Sequence, residues 1–395
     1  MKQLAVVQEA LVREGLDAWL VYDFRGSNPV ARPVLGPLLE GNIASRRVVL
    51  KVPARGLPVL LVHAIEVGTL KPGLEVAVRS YSSRQSLDAA LAELLAGCAR
   101  VAMEYSPQGD NPYVGTVDAG TIERVRAHGV EVVSSAEVAQ ELELWSEAQL
   151  EQHLSAAQAL LDAKDAAFAY IAERLQAPGE VRETHVQRLI ADTLEAGGFV
   201  FDHPATVSFG AHAGDPHYSP LPGARDATLR PGEVVLLDLW CKVPQERAPY
   251  ADITWMGVVG QPLPEVQRAF ETVVAARDAA FRHVATAYEE GRVPQGAEVD
   301  RVARDVISQA GFADAFSHRT GHSLGVDAAH GLAAHLDDFE TADTRLLRPG
   351  LGFTIEPGVY LPTFGVRSEI NVYIDPDGPA PRATTDLQAE LVVLP

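Results

Sequence analysis

Four carboxylates stand where carboxylates are rarely found. Asp238 interrupts the apolar run VVLLDLW (Val234–Trp240), and Asp252 stands in a second such run, Ala251–Val259. Aspartate is depleted in strands, and a buried carboxylate without compensation costs several kcal/mol. Glu356 in FTIEPGVYL and Glu369 in VRSEINVYI repeat the anomaly inside two further β-rich apolar segments. Either aspartate alone reads more readily as a helix cap or a turn residue. Two of them, on what reads as one hairpin, point to a shared cation. The segment SHRTGHSLGVDAAHG adds His318, His322 and His330, and GDPHYSP adds His217. His318 and His322 have the spacing of a zincin pair, but Gly321 and Gly325 oppose a helix and no glutamate follows His318. A loop or strand carrying one ligand histidine is predicted instead. Taken singly, each histidine reads more readily as a structural hydrogen-bonding residue.

Four carboxylates with one imidazole make an oxygen-rich set, which favours Mn²⁺, Co²⁺ or Zn²⁺ over a thiolate site. Two divalent ions balance the four negative charges. Such a pair, about 3.5–4 Å apart, activates a bridging water and polarises a carbonyl, which is a hydrolase's equipment.

The elements that must hold these residues fall into two parts. From residue 1 to about 140, helical and strand patterns alternate, as in an α/β layer domain. Strands are predicted at Ala18–Tyr22, Val48–Val52, Val59–His63, Leu74–Val78 and Val101–Glu104, and helices near Leu4–Val12, Ser86–Leu95 and Thr116–Ala127. This part holds no phosphate loop and no dinucleotide fingerprint. Its Asp23–Asn42 segment, rich in Gly and Pro and carrying Arg25 and Arg32, reads either as a lid or as a plain long connection. Ser146 and Gln149 form a capping-box pattern that opens a long helix to about Leu175. The domain boundary therefore falls at residues 140–146, giving units 1–142 and 143–395. The second is α+β: helices at Val181–Glu195, Glu265–Tyr288 and Ala297–Gln309 cover the carboxylate-bearing strands. The order of helix, helix, strand and hairpin occurs twice in it.

Composition narrows the partners. The 395 residues carry 53 acidic and 33 basic side chains, a net charge of −20, so nucleic acid and anionic membranes are not expected to bind. Two cysteines, Cys98 and Cys241, offer no disulfide framework and suit a reducing compartment. No run of roughly 18 apolar residues reads as a membrane span. The N-terminus has charged residues at helical spacing in place of an apolar signal core. A cytoplasmic protein is expected.

The order Asp238, Asp252, His322, Glu356, Glu369, set in LLDLW, YADIT, TGHSLG, TIEPGVY and VRSE, resembles the pita-bread metallopeptidases. Within them it is similar to the proline-specific branch, Xaa-Pro dipeptidase (prolidase) and aminopeptidase P. The resemblance covers the whole chain, with a creatinase-like α/β domain before the pita-bread catalytic domain. It implies two divalent metal ions per chain, of manganese type with cobalt or zinc as alternatives, bridged by Asp252 and Glu369. It implies that His217 and His330 contact the substrate and stabilise the tetrahedral intermediate, that His318 lines the pocket, and that Glu356 exchanges a proton with the attacking water. The implied substrate is a small peptide with proline second, and the implied assembly is a homodimer. Xaa-Pro dipeptidase is the expected activity, with aminopeptidase P as the alternative. A creatinase-like amidinohydrolase would do without this metal set, and an inactive binding module would lose its ligands first.

Three features depart from the common pattern. The aspartates are fourteen residues apart, so the Cys241–Tyr250 connection is enlarged; Trp255 stands where an arginine is usual; and His330 lies eight positions after His322, one more than usual. For a dipeptidase, Arg367 is a candidate reader of the proline carboxylate, since it lies two residues before Glu369 and so shares its strand face. An equal alternative is that Arg367 only orients Glu369. The Asp23–Asn42 loop, with Arg25, Arg32 or Arg46, is expected to close the pocket against longer chains.

Overall fold

A computed structural model describes residues 2–39, 44–71, 75–378 and 380–395. The chain divides into two compact units, Met1–Glu143 and Leu144–Pro395.

The first unit is built on a mixed sheet of six strands: β1 (Ala18–Phe24), β2 (Arg47–Pro53), β3 (Val59–His63), β4 (Ala77–Tyr81), β5 (Arg100–Met103) and β6 (Glu131–Ser134), in the order β4-β3-β2-β1-β5-β6. Helix α1 (Lys2–Arg13) buries Val7 and Leu11 on one face, and α2 (Arg84–Leu95) and α3 (Ala119–Arg126) bury Leu91 and Ile122 on the other. The domain differs from the sequence reading in three places. The strand predicted at Leu74–Val78 runs from Ala77 to Tyr81, parallel to β3, and Leu74 lies outside the described residues. The four-residue strand β6 is too short to stand out between turn signals. Asp23–Asn42 is not an open loop up to Leu39: it coils through short helical turns whose Val30, Val34, Leu35 and Leu38 enter the domain core. Its last residues, 40–42, lie outside the described ones.

The second unit repeats one pattern. Helices α4 (Glu147–Leu175) and α5 (Glu183–Ala196) precede strands β7 (Thr206–Phe209), β8 (Val234–Cys241) and β9 (Ala251–Val259). Helices α6 (Pro264–Glu289) and α7 (Gly296–Gln309) precede β10 (Gly352–Ile355), β11 (Gly358–Leu361), β12 (Phe364–Arg367), β13 (Ile370–Ile374) and β14 (Pro381–Ala383), and β15 (Val392–Leu394) closes the chain. The capping box forms as read, Ser146 Oγ accepting from the Gln149 amide while the Gln149 side chain accepts from Ser146 N. Strand β9 is buried along its whole length because both faces of its sheet are covered. Val235, Leu237 and Ile253 share a core with α4 and α5, while Val234, Leu236, Met256 and Val258, on the other face, join the core that contains the second set of strands and helices. No helix among the described residues is long and apolar enough to cross a membrane.

Candidate metal centre

Strands β8 and β9 pair antiparallel, with Asp238 opposite Thr254 and Trp240 opposite Asp252. The two aspartates are thus diagonal neighbours on one face. That face is apolar from Val234 to Leu236, and the carboxylates begin where its core ends.

The glutamates come from a second ladder. Ile355 faces Ile370 in the β10–β13 pair, and Gly358 faces Arg367 in the β11–β12 pair. Both pairs follow one register, so Glu356 falls opposite Glu369 and Pro357 opposite Ser368. The glutamates were expected inside strands; they occupy an interruption between two strand pairs. Like charges directly opposed oppose pairing, and Pro357 has no N–H to give.

His322 arrives alongside β10 on an extended segment, not a helix. Leu324 N donates to Gly352 O, Thr354 N to His322 O and Glu356 N to Thr320 O, at 2.7–2.9 Å. Gly321 makes this approach possible: a Cβ there would lie 2.1 Å from the carbonyl oxygen of Thr354. His322 Nδ1 lies 3.0 Å from the Ser323 carbonyl, which can only accept. The ring proton therefore sits on Nδ1, and the Nε2 lone pair faces the carboxylates.

The five side chains converge. Ligand atoms of Asp252, His322 and Glu369 lie within 4.8 Å of one another. His322 Nε2 is 3.7 Å from Asp252 Oδ2 and 3.5 Å from Glu356 Oε1. Thr254 Oγ1 lies 2.8 Å from Glu369 Oε2 and 3.3 Å from Asp238 Oδ1. Asn371 clamps the backbone of Asp252, accepting from its N–H and donating to its carbonyl. Burial raises all four carboxyls: Asp252 and Glu369 go well above the usual range, each pushed further by its acidic neighbours. Glu356 rises to about 7 against the pull of Arg367, and Asp238 is raised by burial despite the same guanidinium. Asp252 Oδ1 and Glu369 Oε1 are buried without any hydrogen-bond partner. Buried polar atoms are almost always satisfied, so two orphaned carboxylate oxygens on residues clustered with His322 fit divalent cations.

The other expected residues lie around this set. Buried Tyr360 links two of them, since its hydroxyl lies 2.7 Å from His318 Nε2 and 3.3 Å from Arg367 Nη1. His318 Nδ1 donates to the Arg319 carbonyl at 2.7 Å, and burial holds the ring down at about 3. The His330 ring lies 4.0 Å from that of His322 and receives Arg319 Nη2 at Nδ1, 3.1 Å away. That donor leaves the proton of neutral His330 on Nε2. Desolvation first, and Arg319 second, lower His330 to about 4. His217 is exposed on the loop after β7. Arg367 differs from the expected substrate reader. It is 5% exposed and turned inward, with Nη2 on Asp238, Nε on Thr254 at 2.8 Å and Nη1 toward Tyr360. Each guanidinium nitrogen is already engaged within this cluster. Thr254, Tyr360, Arg319 and Asn371 were not foreseen, although Thr254 carried a signal: it lies two residues after Asp252, on the same strand face.

The sequence pattern of Metallopeptidase family M24 matches residues 152–376, more than half of the chain. The chain is 33% identical over 220 residues to the probable dipeptidase PepE of Mycobacterium tuberculosis, covering 55% of this chain and 53% of that protein. It is 33% identical over 195 residues to the putative dipeptidase YkvY of Bacillus subtilis, covering 48% of this chain and 47% of that one. The chain thus spans about half the length of the curated relatives it matches. Among solved structures, dipeptidase PepE from Mycobacterium ulcerans superposes with a TM-score of 0.70 at 24% identity, covering 100% of this chain and 97% of that one. The prolidase from Pyrococcus horikoshii superposes with a TM-score of 0.61 at 20% identity, covering 99% and 100%. These likenesses are of fold, and they show an α/β N-terminal domain followed by the pita-bread domain. The chain belongs to Metallopeptidase family M24.

Proposed function

We propose that this protein is a dinuclear-metal exopeptidase that hydrolyses Xaa-Pro bonds, with dipeptides as its substrates. The observation that carries the reading is the convergence of Asp238, Asp252, Glu356, Glu369 and His322 around two buried, unpartnered carboxylate oxygens. Those five side chains would hold two divalent ions, of manganese type, with Asp252 and Glu369 shared between them. When bound, the ions supply an activated water and a polarised scissile carbonyl. Glu356, at the interruption of its ladder, takes the proton of the attacking water and delivers it to the leaving amine. His330, with its proton held on Nε2 by Arg319, donates to the oxygen on which charge develops, and His217 donates from the facing loop. His318 and Tyr360 line the pocket, and Arg367 holds Asp238 in place. Proline selection is supported by the names of structural relatives, among them prolidases and an Xaa-Pro dipeptidase from Bacillus anthracis. The same reading carries a cytoplasmic homodimer.

The test is turnover of Ala-Pro, Ala-Ala and Ala-Pro-Ala after reconstitution with Mn²⁺. Ala-Pro should be cleaved fastest. Faster cleavage of Ala-Ala would leave a general dipeptidase, and faster cleavage of Ala-Pro-Ala would make aminopeptidase P the better description.

A further inference from the structure

One wall of the carboxylate face has no part in the chemistry above. Trp240 stands across the ladder from Asp252 and two residues beyond Asp238, on the face that carries both. It is half-buried, between fully buried Leu239 and Cys241. Its indole Nε1 donates to Asp202 Oδ1 at 2.6 Å. The His203 ring packs edge-on against the indole at 5.4 Å, with Nδ1 2.7 Å from the same oxygen, and the His203 N–H donates to it at 3.0 Å. Two hydrogen bonds and the His203 ring thus converge on Oδ1. Asp202 Oδ2 makes no hydrogen bond among the described residues, and the carboxylate is 33% exposed.

The nearest cation along this face does not occupy that oxygen. Lys242, the next residue outward, donates to the Val326 carbonyl and lies over the Tyr250 ring, 5.3 Å from its centre. Asp202 nevertheless lies close enough to His330 and Tyr250 to act on both. Its charge opposes the lowering of His330 by burial and Arg319, and adds to the raising of Tyr250 by burial.

We propose that Trp240 and Asp202 form the pocket for the side chain of the substrate's first residue, and that they select a cationic one. A guanidinium or ammonium would lie on the indole face and close on Asp202 Oδ2. A cation over tryptophan and a charge-assisted bond to a carboxylate with one free oxygen are each favourable, and they are compatible in one geometry. Trp240, which holds Asp202, stands directly across the ladder from Asp252. The proposal rests on the exopeptidase reading and adds the class of its first residue.

The test compares kcat/KM of the manganese-loaded full chain for Arg-Pro, Leu-Pro, Glu-Pro and Arg-Ala. It adds calorimetric binding of free arginine and free leucine, which needs no turnover. Wild type should favour Arg-Pro over Leu-Pro about tenfold, with Glu-Pro poorest. Asp202→Asn and Trp240→Leu should bring the Arg-Pro to Leu-Pro ratio within about threefold of unity, while Asp202→Glu should retain part of it. Each ratio is taken within one variant, so a general loss of activity does not mimic the effect. An Arg-Pro to Leu-Pro ratio near one in wild type, or a preference that survives Asp202→Asn, overturns the pocket. The Arg-Pro to Arg-Ala ratio tests proline selection separately. If no dipeptide is cleaved yet arginine outbinds leucine and loses that advantage in Asp202→Asn, the pocket stands and the peptidase reading falls. Equal binding of the two amino acids without cleavage overturns both.

Discussion

Glu356 lies directly opposite Glu369 in a continuous antiparallel register whose hydrogen-bonded pairs run on either side of them, from Gly352–Tyr373 to Leu361–Phe364. The ladder lapses where two carboxylates face each other, with Asp252 close by. Cations between these groups would offset the burial that raises all four carboxyls and the repulsion that adds to it at Asp252, Glu356 and Glu369. Chelation should therefore lower the melting temperature, and Mn²⁺ should restore it. Ions held at 100 to 1,000 times their dissociation constant contribute about 3–4 kcal/mol, on the order of 10 °C for a domain of this size. A melting curve unchanged by chelation would contradict a bound pair.

The histidines divide by role. His322→Ala should lose metal and activity together, because its Nε2 faces Asp252 and Glu356. His330→Ala and His217→Ala should keep metal and lose kcat, on the order of 10²–10³ each. Metal analysis beside steady-state kinetics separates the two classes. A wild-type His330→Ala beside an inactive His335→Ala would transfer the donor role to His335, which is fully buried and accepts the Ser323 N–H.

Gly321→Ala tests the close approach that delivers His322. The added methyl would meet the Thr354 carbonyl at 2.1 Å and force the segment off β10. Overpacking of this kind costs about 1–3 kcal/mol. Lower metal affinity should accompany the loss of stability, and a variant with normal melting and normal metal content would show that the segment has room to shift.

His153 should make stability depend on pH. The ring is fully buried, donates to the Tyr250 carbonyl at 2.9 Å, accepts from Thr384 Oγ1 at 2.8 Å and packs against Trp145. Burial lowers its pKa from 6.5 to about 4. Between those values the unfolded chain binds a proton that the folded chain does not. Stability should therefore fall as pH drops from about 6.5 toward 4, by up to about 3 kcal/mol from this residue. Denaturant unfolding of wild type and His153→Gln across that window checks it, and parallel pH profiles would discount the residue.

That these carboxylates belong together was legible because carboxylates in apolar segments violate a simple rule, and Asp238, Asp252, Glu356 and Glu369 each do so visibly. The helices were legible through periodicity and the Ser146 cap. What surrounds the set was not. Arg367 shares a face with Glu369 as strand alternation requires, but alternation cannot say that its guanidinium turns inward to Asp238 and Thr254. Arg319 and Asn371 act through contacts distant in sequence, on His330 and Asp252, which no local pattern carries. The Asp23–Asn42 segment looked open because Gly and Pro dominate it. Its valines and leucines at 30, 34, 35 and 38 supply the burial that folds its described part onto the domain.

Metal content of the purified chain and of Asp252→Asn tests the central claim most directly. Asp252 has a buried, unpartnered oxygen and lies within 4.8 Å of His322 and Glu369, where it would be shared by both ions. The expected result is about two divalent ions per wild-type chain and near-complete loss of both in the folded variant. Full occupancy of Asp252→Asn with unchanged turnover would contradict the assignment.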